Sequence, residues 1–312
     1  MCTAVSFKTR HHYFGRNLDL ERGFGQRVVI TPRNYPLSFR FAPGQKNHYA
    51  MIGMAAVVED YPLYFEATNE KGLSAAGLNF PGNAYYPPCQ EGKRSIAPFE
   101  LIPYLLGSCS KVQEVTKALT NIAVVQCDFS DELPSTPLHW LIADREQSIT
   151  LECTQKGVEI HENPFGVLTN NPPFAYHLTN IKNYMALHPG AAEQQLSDAP
   201  MENYSLGMGA LGLPGDYSSA SRFIKAVFVK ENSVCNGSEE ESVNQFFHIL
   251  QSVAMPKGCV LTPGGEYEYT RYSCCCNTDT QTYYYTTYEQ PAPRKVQMES
   301  VDLNSDHLFL TE

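Results

Sequence analysis

The 312-residue chain is 43% hydrophobic and carries a formal charge of -10 at pH 7, from 33 acidic and 23 basic side chains. That much apolar material supports a large core, yet no run approaches the ~20 apolar residues needed to span a bilayer, so a soluble globular protein is expected. The diffuse negative field, unrelieved by any basic run, argues against nucleic acid or an anionic membrane surface as partner.

The first twenty residues contain Lys8, Arg10, His11, His12, Arg16 and Asp19 and no apolar stretch. A secretory signal is therefore not expected, and a cytoplasmic location is. The ten cysteines are sparse and irregularly spaced for this length, which favours reduced thiols over a disulfide framework. Gly and Pro are spread through the chain and no repeat or linker divides it, so one domain, 1–312, is the economical reading.

In chain order, β-branched and aromatic residues between turn residues predict strands at Cys2–Thr9, Tyr13–Leu20, Arg27–Thr31, Tyr49–Val58 and Leu73–Phe80. A sheet beginning at the first residues would hold a terminus that otherwise frays. Helices are predicted over Ile96–Leu106 and after Ser110, where Ser110 and Gln113 have capping-box spacing and Val115, Ala118, Leu119 and Ile122 form an apolar stripe. Leu138–Ala143 and Ile149–Cys153 predict a hairpin around Arg145-Glu146-Gln147 that continues into Val158–His161 and forms a second sheet. Ser219–Glu231 and Ser242–Val253 have helical spacing, with Glu239-Glu240-Glu241 a solvated helix start, and Tyr267–Tyr288 returns to strand composition. Two sheets and two helical layers predict an α+β four-layer sandwich.

The chemistry-bearing feature is Met1-Cys2. Excision of a methionine before a small residue leaves Cys2 with a thiol and a free α-amine, whose ordinary pKa values of about 8.5 and about 7.7 to 8.0 make proton transfer between them nearly balanced. In the second strand, alternation places Arg16 and Leu18 on one face and Asp19 on the other. An arginine near Cys2 would favour thiolate, and an aspartate could orient the amine; spacing alone fits a solvent-facing pair at a turn better. Cys274-Cys275-Cys276 point alternately and cannot converge on a metal, and His11-His12 and His139-Trp140 lack partners at ligand spacing, so no metal site is expected.

Further blocks fall in register along the chain: Gly15-Arg16-Asn17-Leu18-Asp19, Asn69-Glu70-Lys71-Gly72-Leu73, Ala76-Gly77-Leu78-Asn79-Phe80, Leu168-Thr169-Asn170-Asn171-Pro172, and Gly212-Leu213-Pro214-Gly215-Asp216 with Ser221-Arg222-Phe223. With Met1-Cys2-Thr3, this pattern resembles the choloylglycine hydrolase family, which contains conjugated bile salt hydrolases and penicillin V acylases. The resemblance implies an N-terminal-nucleophile hydrolase of αββα architecture, with Cys2 as nucleophile and Arg16 and Asp19 beside it. It implies Asn79, through its backbone N–H, and Asn170, through its side-chain amide, as oxyanion donors, with Arg222 completing the polar network. Leu18, Phe24, Phe129 and Leu133 match positions that contact the sterol body. The implied substrate is a glycine- or taurine-conjugated bile salt, with no cofactor and a homotetrameric assembly. Asn79 favours bile salts over penicillin V because penicillin-cleaving relatives often carry Tyr there, and Gly82-Asn83-Ala84-Tyr85-Tyr86 resembles a bile-salt-type pocket loop. Leu206–Gly212 departs from the family by being shorter and poorer in glycine. A noncatalytic binding or redox protein of the same fold is the competing class, and it would retain Met1.

Overall fold

The computed structural model describes residues 1–89 and 92–311. The strands are β1 (Cys2–Lys8), β2 (His12–Leu20), β3 (Arg27–Thr31), β4 (Met51–Val58), β5 (Tyr61–Asn69), β6 (Ser74–Asn79) and β7 (Arg94–Ile96), followed by helices α1 (Leu101–Ser108) and α2 (Val112–Leu119). Then come β8 (Ile122–Val124), β9 (Leu138–Ala143), β10 (Ser148–Thr154), β11 (Gly157–Glu162) and β12 (Val167–Leu168). Helices α3 (Phe174–Asn180), α4 (Ser219–Glu231) and α5 (Glu239–Gln251) lead into β13 (Tyr269–Asn277), β14 (Thr282–Thr287), β15 (Arg294–Gln297) and β16 (Phe309–Leu310).

One sheet has the order β12-β1-β2-β13-β14-β15 and the other β11-β10-β9-β6-β5-β4-β3-β16, with antiparallel pairing throughout both. Phe223, Val227, Phe246 and Leu250 of α4 and α5 pack on the first sheet, and Leu101, Leu105 and Val115 of α1 and α2 pack on the second. The predicted αββα sandwich is the architecture found. Because the first sheet is covered on both faces, β1, β2 and β13 are buried along nearly their whole length. The three consecutive cysteines are part of this core, and burial pushes all three thiols up, Cys276 to about 12. Gly15 lets β13 lie close against β2: a Cβ there would sit 1.9 Å from Cys274 O.

Four expectations need correction. The early strands do not share a sheet: β1 and β2 join the C-terminal strands, whereas β3–β6 pair with the β9–β10 hairpin. Strand β5 lies outside the predicted strands, and its Pro62 is tolerated because β6 pairs only with Glu66–Thr68, leaving the Pro62 end unpaired on that side. Ile96 ends a short strand, and Pro98 starts a 3-10 turn that leads into α1. At α2 the acidic partner is Glu114 rather than Gln113, accepting from Ser110 N at 2.7 Å and Ser110 Oγ at 2.9 Å, while Asp144 Oδ2 accepts the Val112 N–H at 2.7 Å.

Candidate functional site

Cys2 stands at the head of β1, 2% exposed, paired with Leu18 of β2. The ladder continues one residue further, with Asp19 N donating to Met1 O at 2.9 Å, so the chain start is held as a strand. Alternation along β2 sends Arg16 toward the other sheet and Asp19 toward the helices. Arg16 Nη1 donates to Gly77 O at 2.6 Å and Phe65 O at 3.0 Å, while Asp19 Oδ1 accepts from Thr270 Oγ1 at 2.6 Å.

Arg16 has a partner that sequence reasoning missed. Glu66 of β5 lies with Oε2 3.9 Å from Arg16 Nε and accepts from the Tyr272 and Tyr283 hydroxyls, each at 2.6 Å. Burial pushes the Glu66 carboxyl above its ordinary value, against the pull of Arg16 and the two tyrosines. Burial also opposes the charge on Arg16, but Cys2 and Glu66 outweigh it and hold the guanidinium protonated. Arg16 Nη2, also buried, has no protein partner among the described residues.

Arg222 arrives from the first turn of α4. Ser218 caps that helix and Asp216 accepts from Ser218 N at 2.9 Å and Ser221 Oγ at 2.6 Å, bonds that bring its carboxyl down to about 2. The helix start is thereby fixed, and the guanidinium of Arg222, buried and with its pKa lowered by that burial, reaches inward. Its Nη1 donates to Cys2 O and to Thr3 Oγ1 (2.7 Å), Nη2 donates to Asn170 Oδ1 (2.8 Å), and Asp19 Oδ2 lies 4.0 Å from Nη1. Asp19 Oδ2 has no hydrogen-bond partner among the described residues.

Asn170 follows the two-residue strand β12, and three contacts fix its carboxamide. Oδ1 accepts from Cys2 N at 2.8 Å and from Arg222, and Nδ2 donates to Asn79 O at 2.7 Å. One Nδ2 hydrogen remains after these bonds. The structure therefore gathers Cys2, Asn79, Asn170 and Arg222 into one connected network. Arg16 joins the group from the cavity side and Asp19 from the helix side.

A cavity of about 280 Å³ opens over Cys2, with Arg16 and Asn79 beside it and Leu18, Phe24, Phe129 and Leu133 in its wall. Phe65, Phe99, Ile102 and Leu138 are among the further apolar residues of the lining and carried no signal in the sequence beyond being hydrophobic. Phe129 packs edge-on to Phe99, centroids 5.2 Å apart. The Gly82–Tyr86 loop is not part of this wall. Gly82, at φ 77°, turns the chain away, Tyr85 N donates to Cys153 O at 2.8 Å, and Tyr86 OH supports Leu138 and Thr136 from behind.

The Met1 ammonium donates to Asp19 O at 2.6 Å and contacts Glu268. Burial lowers its pKa, with Cys2 and Asp19 opposing. Removal of Met1 would turn the Cys2 amide nitrogen, already bonded to Asn170 Oδ1, into an amine in that same buried setting. No cluster of three His, Cys, Asp or Glu able to hold a metal occurs among the described residues, and no helix among them is long and apolar enough to cross a membrane.

A thiol leading a central strand of an αββα sandwich, at the foot of an apolar cavity, is the architecture of an N-terminal-nucleophile amide hydrolase. The chain belongs to the family of linear amide C-N hydrolases, choloylglycine hydrolase family, whose model matches residues 2–311. It is 50% identical to a bile salt hydrolase/transferase of Lactiplantibacillus plantarum over 100% of this chain and 95% of that one. A crystal structure of a variant conjugated bile acid hydrolase from Clostridium perfringens superposes with a TM-score of 0.93 at 34% identity, covering 100% of this chain and 97% of that one. A penicillin V acylase from Agrobacterium tumefaciens shares the fold, with a TM-score of 0.78 at 18% identity over 99% of this chain and 90% of that one.

Proposed function

We propose that this chain hydrolyses the amide bond of glycine- or taurine-conjugated bile salts, with Cys2 as nucleophile once Met1 has been removed. One observation carries the reading: the Cys2 backbone is locked to Asn170 and Arg222 while the same residue lines an apolar cavity. The substrate's steroid body buries its apolar surface against Leu18, Phe24, Phe129 and Leu133, at about 25 cal/mol per Å². Cys2 Sγ attacks the amide carbonyl and its proton passes to the α-amine. Negative charge develops on the carbonyl oxygen, facing the Asn79 N–H and the remaining Asn170 Nδ2 hydrogen. Such donors are worth about 2.7 to 4 kcal/mol each. As the C–N bond breaks, the α-ammonium returns the proton to the departing glycine or taurine nitrogen. Water then attacks the thioester, with the amine as base, and frees the steroid acid and the thiol.

Arg16 and Arg222 supply positive charge next to the thiol and the anionic substrate, and Asp19 steadies Arg222 and the new ammonium. The reaction takes place in one domain, 1–312, with no metal or organic cofactor. A reduced Cys2 is required, which suits a cytoplasmic location. Met185, Leu196, Tyr204 and Leu206 are largely exposed along the irregular stretch before α4. This exposed apolar surface supports a homotetramer, in which other copies would cover it.

Side-by-side rates on glycocholate, taurocholate and penicillin V test the reading. The bile salts are expected to be cleaved at least ten times faster. Faster cleavage of penicillin V would make the chain a penicillin V acylase, and no cleavage of any of the three would support a noncatalytic protein.

A further inference from the structure

A buried polar cluster outside the scheme above grips the backbone around Asn170. His139 on β9 is 0% exposed and Glu152 on β10 is 1% exposed. Thr169 O can only accept, so His139 Nε2 carries a proton and donates to it at 2.9 Å, while His139 Nδ1 lies 3.1 Å from Glu152 Oε1. The same carboxylate oxygen accepts the Phe174 N–H at 2.9 Å, and His177 Nε2 donates to Asn170 O at 3.1 Å. Segment 169–174 is thus tied at three backbone atoms to buried side chains. The His139 ring also stacks on Phe80, centroids 4.2 Å apart and planes 6° apart, and Phe80 follows Asn79.

We propose that Glu152 and His139 are positioning residues for hydrolysis, holding the Asn79 arm and the Asn170 arm at a fixed separation. This rests on the assignment of those asparagines to the oxyanion. A buried carboxylate and imidazole are costly to desolvate, and apolar residues could fill the space as well. What apolar residues could not do is anchor the backbone of a segment that regular structure leaves short of partners: β12 has two residues, and α3 begins only at Phe174. Oxyanion donors need that anchoring, because a misplacement of about 1 Å can cost about 10²-fold in rate. Neither residue lines the cavity over Cys2, so their effect should fall on kcat.

The test compares Glu152→Ala, Glu152→Gln, Glu152→Leu and His139→Gln with the unaltered enzyme on glycocholate, with thermal melts to verify folding. Glu152→Ala is expected to lower kcat about 10- to 100-fold with KM within about twofold. Glu152→Gln keeps an oxygen for the Phe174 N–H and should recover most of that loss, whereas Glu152→Leu, which fills similar space without an acceptor, should not; full recovery by Glu152→Leu would overturn the proposal. If Glu152→Ala does not fold, His139→Gln decides: its shorter amide cannot span Thr169 O and Glu152, so a folded variant should lose about tenfold in kcat. A folded Glu152→Ala or His139→Gln with unchanged kcat, or with only KM altered, overturns the proposal. Absence of turnover by the unaltered enzyme would instead defeat the functional reading beneath it.

Discussion

Two kinds of construction meet at Cys2. On one side, Arg16 and Asp19 of β2, the Asn79 backbone at the end of β6, Asn170 after β12 and Arg222 of α4 are held by hydrogen bonds, and nearly all are buried. On the other, Phe24, Phe129 and Leu133 come from loops, and the cavity they line opens to solvent. The rigid side is where reacting charge must be met by groups already in place, and the loop side is where an apolar body is gripped. Rate and selectivity should therefore separate by mutation: the polar side governs kcat and stability, the wall governs KM.

The largest effect is expected beneath Arg16. Glu66→Ala removes the counter-charge of Arg16 and the acceptor of the Tyr272 and Tyr283 hydroxyls, and should cost about 3 to 5 kcal/mol of stability, measured by urea unfolding. A loss under 1 kcal/mol would show the polar side to be less tightly coupled than its hydrogen bonds imply. Asn170→Ala should lower kcat by ~10² to 10³ with little change in KM, since it removes one oxyanion donor. A change confined to KM would move Asn170 from the rigid side to the wall.

At the far end of β2, His12 gives a pH-dependent check on that rigidity. Its Nε2 is 2.8 Å from Ser6 Oγ and its Nδ1 is 2.9 Å from Thr278 Oγ1; burial pulls its pKa down to about 4. The fold holds the neutral ring, whereas the unfolded chain takes up a proton below pH 6.5. Stability should therefore be full above pH 6.5, decline by about 3 kcal/mol as pH falls to 4, and level off below that as far as this group is concerned. Denaturant curves for the unaltered protein and His12→Asn measure the contribution; identical slopes between pH 4 and 6.5 would contradict it. The smallest effect belongs to the wall: Phe129→Ala should raise KM for glycocholate about tenfold with kcat within twofold, in line with about 1.5 kcal/mol for a lost apolar contact.

The same division explains what the sequence disclosed. Alternation put Arg16 and Asp19 on opposite faces of the second strand, but spacing alone favoured a solvent-facing pair at a turn, and it took the family blocks to set them beside Cys2. Asn79, Asn170 and Arg222 were legible only through the family blocks, because Asn-Asn-Pro alone reads as a turn and a single arginine as surface. Glu66 and Glu152 gave no signal, and His139 stood out only as a histidine without a partner at ligand spacing, since a buried acid looks like any acid until the strands that supply its partners are brought together. The split of the early strands between two sheets was hidden for a related reason: local periodicity marks a strand but does not choose its neighbours, and β2 pairs with β13, some 250 residues downstream. The Gly82–Tyr86 loop was misplaced because composition does not say which way a turn at a left-handed glycine directs the chain.

The central claim is that the thiol and the free amine of Cys2 together carry the reaction. Its most direct test is intact-mass and N-terminal peptide spectrometry of the enzyme acid-quenched during turnover of glycocholate. An N-terminal peptide that lacks Met1 and carries the steroid acyl group as a thioester on Cys2 is the predicted result. Turnover by a protein that keeps Met1, or an acyl group on any other residue, would contradict it.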